Sequence, residues 1–364
     1  MVAMNLFAEE FYATRRQALQ KRVAQSDVTA LVIGVGAEMK ALTGHEFHSH
    51  ERLTALVVTA DSQVLIAPAT DAASLPALTD VTVQSWRDGE NPYAAVANVA
   101  GGPAELGRTL TADHVFGLQG VLPETRLMSQ QFADMFMIKD PAEIAELAKA
   151  GAAIDRVHEQ APALLVAGRT EAEVAAELAA LIRREHAEVD FVIVGSGPNG
   201  ANPHHDFSDR VLQPGDPVVV DIGGTLDTGY HSDSTRTYVV PGAAASPEFQ
   251  RAYQVVLEAQ QAAAAAARPG MTAGELDAVA RDIITAAGFG NEFSHRLGHG
   301  IGLEIHEQPF IIAGSDLVLE EGMAFSIEPG VYVDGQFGVR IEDIVTLTDT
   351  GARSLNNAPK ALEC

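Results

Sequence analysis

Cysteine is nearly absent from this sequence, since Cys364 is the only one among 364 residues. A single thiol excludes an intrachain disulfide framework and cysteine-based zinc sites, and it argues against a catalytic thiol. We therefore expect a reducing compartment, the cytoplasm. The sequence also lacks an apolar run of membrane-spanning length. Near its start, acids followed by Arg15 and Arg16 replace the apolar core of a secretory signal, and the spacing predicts an amphipathic helix.

Basic residues are also scarce. The chain has 24 Lys and Arg against 49 Asp and Glu, which gives a formal net charge of −25. A protein that binds a phosphate backbone needs a basic surface, so nucleic acid is excluded as the main ligand. We expect neither nucleic acid nor a membrane as a partner.

The length favours two domains, each with its own apolar core. Short β-prone runs (TALVIGV, LTALVVTA, QVLIAP, VTVQSW, HVFGL) alternate with potential helices before residue 135, which predicts a small α/β domain. Asp140, Pro141 and Glu143 then form a strong helix-start signal. We therefore place one domain at residues 1–135 and a second at residues 136–364.

The second domain has the pattern of an internal duplication. Thr170 with Glu173 predicts a capped helix that is followed by the strand-like runs FVIVG, VVVDIGG and RTYVV. About a hundred residues later, Thr272 with Glu275 repeats the cap, and the strand-like runs MAFSIEPGVYV and RIEDIVTL follow. This order predicts two similar halves.

Five side chains stand out because each lies in or beside an apolar, strand-like run, where an unpaired charge is costly to bury. They are Asp221 (VVVDIGG), Asp233 (HSDSTRTY), His299 (LGHGIG), Glu328 (SIEPG) and Glu342 (VRIED). Oxygen ligands with one imidazole suit a hard or borderline divalent ion such as Mn2+. Since five ligands exceed what one hydrolytic ion usually takes from protein, the set predicts two ions that share carboxylates.

The local sequence predicts how these groups are held. Asp221 and Asp233 flank the segment GGTLDTGYHS, which predicts a hairpin or bulged turn with both carboxylates at one point; the alternative is two acids that cap strand ends. His299 lies between Gly298 and Gly300, which allow the backbone to approach a ligand closely. A lone histidine is otherwise more often structural.

The remaining candidates lie on β-prone segments. His306 follows His299 by seven residues, which places the two rings on opposite strand faces unless a bend intervenes, so we assign them different roles. Glu328 precedes a Pro-Gly turn that would hold it rigidly. Alternation puts Arg340 and Glu342 on one face, where Arg340 would hydrogen-bond a ligand carboxylate. The alternative for Arg340 is a plain surface ion pair.

Together these residues resemble the proline-specific metallopeptidases of the creatinase and aminopeptidase P group, the pita-bread family that includes Xaa-Pro dipeptidase (prolidase). The resemblance covers about residues 140 to 355, and all five positions hold the family's residue types in order. It implies an α/β creatinase-like N-terminal domain and an α+β pita-bread catalytic domain with internal pseudo-two-fold symmetry. The segment between Asp221 and Asp233 is one residue longer than the family pattern, which the turn near Asp227 and Thr228 should absorb.

The resemblance also implies a division of roles among the ligands. Asp233 and Glu342 would bridge two ions, Asp221 would complete one site, and His299 with Glu328 would complete the other. The ions would be Mn2+, with Co2+ or Zn2+ as alternatives. A hydroxide that bridges both ions would attack the scissile carbonyl.

Further residues match the family near the substrate. Glu328 would carry the proton to the leaving proline nitrogen, and Arg340 would support the ligands. His204 and His306 match two histidines that stabilise the tetrahedral intermediate; the alternative is that they are packed or capping histidines. Phe207 and Phe310 are candidates for the apolar wall around the proline ring.

One departure from the family concerns the substrate's free carboxylate. Several prolidases bind it with an arginine shortly after the His-Glu pair, but this chain has Phe310 at that place. A strict dipeptidase still needs a cation, and we predict Arg52, from its own chain or from a dimer partner. The alternative is a solvated surface arginine.

The sequence therefore predicts a homodimeric metallopeptidase that cleaves Xaa-Pro dipeptides. The main alternative is an Xaa-Pro aminopeptidase (aminopeptidase P), which leaves the site open for longer peptides. Methionine aminopeptidases share the metal ligands but not the α/β domain in front, and creatinase-like hydrolases share the fold without the metals. A non-catalytic binding protein on the same fold is a remote alternative.

Overall fold

The computed structural model describes residues 7–48, 51–360 and 362. Cys364 lies outside the described residues. The chain forms two compact units, Met1–Phe136 and Met137–Cys364. In the part of the chain that is described, no helix is both long enough and apolar enough to cross a membrane.

The first unit contains a mixed six-stranded sheet. Its strands are β1 (Ala30–Gly34), β2 (Ala55–Thr59), β3 (Gln63–Pro68), β4 (Thr82–Trp86), β5 (Ala104–Leu106) and β6 (Thr125–Leu127). Their spatial order is β4-β3-β2-β1-β5-β6. Antiparallel pairing joins β1, β2 and β3, whereas β4, β5 and β6 pair in parallel with their neighbours. The central strand β1, with the sequence ALVIG, is buried throughout, which explains its continuous apolar run.

Helices connect these strands. They are α1 (Glu9–Ala24), α2 (Ala37–Thr43), α3 (Pro92–Ala100), α4 (Ala112–Gln119) and α5 (Gln130–Met137). The expectation of a strand at HVFGL is wrong, because this run lies in α4. The side chain of Thr111 caps that helix by accepting from the backbone N–H of His114, and Leu118 is buried while Phe116 is exposed. Here the helix cap and the one-sided burial override the β propensity of the residues.

The first half of the second unit packs helices on a three-stranded antiparallel sheet. Its elements are α6 (Pro141–His158), α7 (Ala161–Leu164), α8 (Glu171–Glu185), β7 (Glu188–Ser196), β8 (Pro217–Thr225) and β9 (His231–Val239). The predicted helix starts at Asp140 and Thr170 are confirmed, since both residues form complete capping boxes. The apolar faces of α6 and α8 and of the sheet form one core.

The second half repeats this order of helices followed by antiparallel strands. Its elements are α9 (Pro247–Ala266), α10 (Ala273–Ala286), β10 (Gly298–Gly300), β11 (Glu307–Ile311), β12 (Ala324–Ile327), β13 (Gly330–Val333), β14 (Phe337–Arg340), β15 (Asp343–Thr348) and β16 (Gly351–Ser354). Thr272 caps α10 through a third capping box, as predicted. One sheet has the order β11-β10-β12-β15-β16, and β13 pairs with β14.

The two halves meet along β9 and the short segment between β14 and β15. The hydroxyl of Thr237 donates to the backbone carbonyl of Arg340 at 2.9 Å and accepts from the backbone N–H of Arg340 at 3.1 Å. The N–H of Glu342 donates to the carbonyl of Thr235 at 3.1 Å. Beside them, the fully buried Arg236 pairs with Asp343 at 2.8 Å. This seam brings residues of the second half to the strand that carries Asp233.

Candidate active site

The hairpin of β8 and β9 brings Asp221 and Asp233 together. Asp221 is the register partner of Thr235, and Asp233 is the partner of Gly223. The predicted hairpin is thus confirmed. Its connection is a tight turn in which the N–H of Leu226 donates to the carbonyl of Tyr230 at 2.9 Å.

His299 lies on β10 between two close backbone contacts. A Cβ at Gly298 would lie 1.9 Å from the carbonyl oxygen of Ser326, and one at Gly300 would lie 2.3 Å from that of Gln308. The glycines are therefore required because the neighbouring segments pack against β10, and not only for the approach of a ligand.

The orientation of the His299 ring follows from its hydrogen bonds. Its Nδ1 lies 3.1 Å from the carbonyl oxygen of Gly300, so Nδ1 donates in the neutral ring and Nε2 is left with a lone pair. Nε2 lies 3.2 Å from Glu328 and 3.5 Å from Asp233. An imidazole held in this tautomer by a backbone carbonyl is typical of a metal ligand.

The five predicted metal ligands converge. Donor atoms lie within 4.8 Å of one another in three groups: Asp221, Asp233 and Glu342; His299, Glu328 and Glu342; and Asp233, His299 and His306. Glu342 belongs to the first two groups, and its Oε2 also accepts from the hydroxyl of Thr235 at 2.7 Å. A carboxylate common to two donor groups has the arrangement that a bridging ligand needs.

Burial and mutual repulsion shift the pKa values of these acids. Burial, and then the charge of Asp221, raises the pKa of Asp233 well above its ordinary value. Burial and the charge of Asp233 do the same for the pKa of Glu342. Burial alone would raise the pKa of Glu328, but the hydrogen bond and charge of His299 outweigh it and lower that pKa to about 2. Burial would lower the pKa of His299, yet its contacts with Glu328 and Asp233 raise it to about 9.

The donor set fits divalent cations. The Oδ1 atom of Asp221 is buried and has no hydrogen-bond partner among the described residues, although a buried carboxylate oxygen normally has one. Burial, followed by the charges of neighbouring carboxylates, raises the pKa values of Asp233 and Glu342. Bound cations would satisfy the orphaned oxygen and relieve this repulsion.

Arg340 orients one of these acids. It is 3% exposed, and its Nη2 donates to Oδ2 of Asp221 at 2.5 Å. Its Nη1 donates to the hydroxyl of Tyr332 at 2.7 Å and its Nε to that of Thr235 at 3.1 Å. The alternative of a plain surface ion pair is therefore wrong, because the whole guanidinium is buried and hydrogen-bonded.

His306 faces His299, with 4.2 Å between the ring centroids. The expectation of opposite faces does not hold, because the chain bends over residues 302–306. His306 is exposed as a whole residue, but partial desolvation in the cavity, followed by the charge of His299, lowers its pKa to about 4. Its imidazole is therefore neutral near pH 7 and keeps an N–H to donate.

A cavity of about 570 Å³ opens onto the cluster. All five predicted ligands line it, together with His204, His306 and Arg340. Its apolar wall comes from Phe191, Ile193, Ile305 and Ile312. This volume lies in the range of pockets that bind small molecules.

The structure does not bring every predicted residue to the cavity. Phe310 is not among the described lining residues, and its ring instead lies 4.5 Å below the guanidinium of Arg296. Phe207 is 48% exposed and does not line the cavity either. Arg52 belongs to the first unit, where it pairs with Asp88 at 3.0 Å. Its role in carboxylate binding stays a prediction.

Some lining residues were missed by the sequence analysis. Arg296, Asp190 and Asp206 bring charge to the cavity wall. Tyr332 was also missed; it is not among the described lining residues, but its hydroxyl accepts from Arg340. Arg296 had a readable signal, since it lies three residues before His299 in the same segment. The two aspartates had none, because nothing in their local sequence separates them from surface acids.

Comparison with known proteins agrees with this geometry. The sequence model of metallopeptidase family M24 matches residues 145–349, and that of the Creatinase/Prolidase N-terminal domain matches residues 15–135. A Mycobacterium tuberculosis protein named "Probable dipeptidase PepE" is 48% identical over 98% of this chain and 97% of its own. An Xaa-Pro dipeptidase of Lactobacillus helveticus is 37% identical over 95% and 97%. The crystal structure of dipeptidase PepE from Mycobacterium ulcerans aligns with a TM-score of 0.93 at 46% identity, over 98% of both chains.

Proposed function

Because this chain belongs to metallopeptidase family M24, we propose that it hydrolyses the peptide bond before proline in Xaa-Pro dipeptides. The observation that carries the proposal is the convergence of five donors, which include two groups that share Glu342, beside a cavity of about 570 Å³. Similarity along nearly the full length to an Xaa-Pro dipeptidase supports the choice of substrate.

The family implies divalent metal ions, and we propose two Mn2+ ions held by Asp221, Asp233, His299, Glu328 and Glu342. Co2+ and Zn2+ are the alternatives, since the oxygen-rich set with one imidazole accepts all three. When bound, such ions lower the pKa of water towards about 7 and polarise a carbonyl oxygen.

The protein's own groups have separate tasks in this proposal. Glu328 accepts a proton from the attacking water and delivers it to the proline nitrogen, which leaves as a secondary amine. His204 and His306 line the cavity and donate hydrogen bonds to the oxyanion of the tetrahedral intermediate. Arg340 keeps Oδ2 of Asp221 in place through a buried ion pair.

We also propose that the domain boundary falls between residues 135 and 136, and that the enzyme is a cytoplasmic homodimer. Size-exclusion chromatography coupled to light scattering measures the mass in solution. A mass of one chain, 38.4 kDa, would contradict the dimer.

The experiment compares a dipeptide Xaa-Pro with a tripeptide Xaa-Pro-Yaa, using metal-stripped protein with and without added Mn2+, Co2+ or Zn2+. We expect metal-dependent hydrolysis of the dipeptide alone. Hydrolysis of both would instead identify an Xaa-Pro aminopeptidase, the alternative that Phe310 leaves open. Hydrolysis of neither with any of the three ions would refute both peptidase functions.

A further inference from the structure

The charges around the cavity pose a problem for a substrate with a free carboxylate. Four of the lining acids are the proposed metal ligands, whose charge bound cations would offset, and two others, Asp190 and Asp206, lie outside that set. A dipeptide brings a further negative charge into this confined space, where charge repulsion is stronger than in water. Selective binding of a dipeptide therefore requires a cation on the wall that can accept a second anion.

Only two arginines and no lysine are found among the described lining residues. One is Arg340, whose guanidinium is already committed to Asp221, Tyr332 and Thr235. The other is Arg296, which is half-buried and forms no ion pair with any described residue. Arg296 is thus the lining cation that remains available.

The structure holds the Arg296 guanidinium in a defined place. It stacks on the ring of Phe310 with 4.5 Å from Cζ to the ring centroid. Phe310 is the register partner of His299, so the stacking keeps the cation beside the strand that carries the ligand imidazole. Stacking on an aromatic face leaves the N–H edge of a guanidinium free to bind a carboxylate with two parallel hydrogen bonds.

The backbone around Arg296 is equally fixed. The next residue, Leu297, donates its N–H to the carbonyl of Ile311 at 2.9 Å and accepts from the N–H of Glu328 at 2.9 Å. The carbonyl of Arg296 itself lies 2.7 Å from Nδ1 of His295. Arg296 is also one of the positive charges that lower the pKa of His306, which places it near the proposed oxyanion donor.

We propose that Arg296 binds the C-terminal carboxylate of the substrate and thereby makes the site selective for dipeptides. The inference rests on the proposed hydrolysis of Xaa-Pro bonds. It assigns to Arg296 the task that the sequence analysis predicted for Arg52. The Phe310 ring lies against the guanidinium of Arg296. A positive charge introduced at position 310 would therefore lie in the same part of the cavity wall.

The test compares Xaa-Pro with the amide Xaa-Pro-NH2, which lacks only the negative charge. We expect the wild-type protein to favour the acid. Loss of a charged hydrogen-bonded pair predicts that R296Q lowers kcat/KM for the acid by roughly 10- to 100-fold, mainly through KM, with little change for the amide. R296K keeps the positive charge but not the planar guanidinium that forms two parallel hydrogen bonds, so the decrease in kcat/KM for the acid should be smaller than in R296Q.

Two matched variants sharpen the comparison. Arg251 stacks on Phe289 in the same way but outside the cavity lining, so R251Q should leave both substrates unaffected. The double variant R296Q/F310R should regain part of the preference for the acid. R52Q should retain the full preference.

The outcomes separate this inference from the proposed function. If the wild-type protein cleaves neither substrate, the proposed function fails and this inference falls with it. If it cleaves both equally, or if R296Q keeps the preference for the acid, only the role of Arg296 is refuted. An equal loss on acid and amide would show a merely structural arginine, and loss of the preference in R52Q alone would assign the carboxylate to Arg52.

Discussion

His158 gives this protein a defined dependence of folding stability on pH. Its imidazole is 2% exposed, with Nε2 at 3.0 Å from the carbonyl oxygen of Ser234 and Nδ1 at 3.0 Å from the hydroxyl of Tyr238. Because a carbonyl oxygen only accepts, Nε2 carries the proton and Nδ1 accepts from Tyr238. The neutral ring is therefore fully hydrogen-bonded. Burial, followed by the charge of Arg236, lowers its pKa to about 3.

The sign and size of the effect follow from the two pKa values. The unfolded chain, with a pKa near 6.5, binds the proton more readily than the folded chain, with a pKa of about 3. The stability that neutral His158 contributes is therefore present above pH 6.5 and is lost as the pH falls towards 3. With about 1.4 kcal/mol per pKa unit, the loss between pH 8 and pH 5 is about 2 kcal/mol.

The assay compares the wild-type protein with His158→Gln, which keeps one donor and one acceptor but does not titrate. Urea unfolding of metal-stripped protein is followed by circular dichroism at pH 8 and pH 5. We expect the wild-type free energy of unfolding to fall by about 2 kcal/mol more than that of the variant. If the free energies of unfolding of the wild-type protein and the variant fall by amounts that agree within about 0.5 kcal/mol, His158 is not held neutral by burial.

Three further predictions concern the site and its supports. Gly298→Ala should destabilise the fold by about 3 kcal/mol or more, because the added Cβ would overlap the backbone carbonyl of Ser326. As a control, Gly120→Ala adds a Cβ that makes only ordinary contacts, so it should change the urea midpoint of unfolding little. The buried carboxylate of Glu171 accepts hydrogen bonds from six donor atoms of residues 196–208, the segment that carries His204. Glu171→Gln should therefore cost about 2 kcal/mol and raise KM more than it lowers kcat; an unchanged KM would contradict this. Asp233→Asn should reduce the amount of bound Mn2+ measured by elemental analysis, and it should abolish the Mn2+-induced rise in Tm. Full metal occupancy in this variant would argue against Asp233 as a ligand.

Helix starts were readable from the sequence because their determinants are local. Asp140, Thr170 and Thr272 each hydrogen-bond backbone N–H groups three residues ahead or fewer, so four consecutive residues contain the whole motif. The run HVFGL was misread for the complementary reason. The residues of HVFGL favour a strand by their own propensity. They form a helix because Thr111 caps it and one of its faces is buried, and composition alone does not reveal either feature.

The candidate site was predictable in residue type and only partly in arrangement. The hairpin that joins Asp221 and Asp233 follows from one glycine-rich turn. The meeting of His299 and His306 depends instead on a bend over residues 302–306, and alternation along an extended strand predicted the opposite. The closeness of Arg296 to His299 is readable in the sequence, but whether its guanidinium forms an ion pair depends on the residues that surround it in the fold.

The division of the donor set between two halves links the site to the stability of the fold. Asp221 and Asp233 come from the first half and the other donors from the second, so the carboxylates meet only when the seam between β9 and Glu342 forms. Bringing buried acids together costs free energy, as the raised pKa values of Asp233 and Glu342 indicate. Cations that occupy the donor groups would reverse this cost, and the donor atoms that would hold them come together only when the two halves assemble. Metal binding should therefore stabilise the second unit as a whole, because the same contacts that build the site also join its halves.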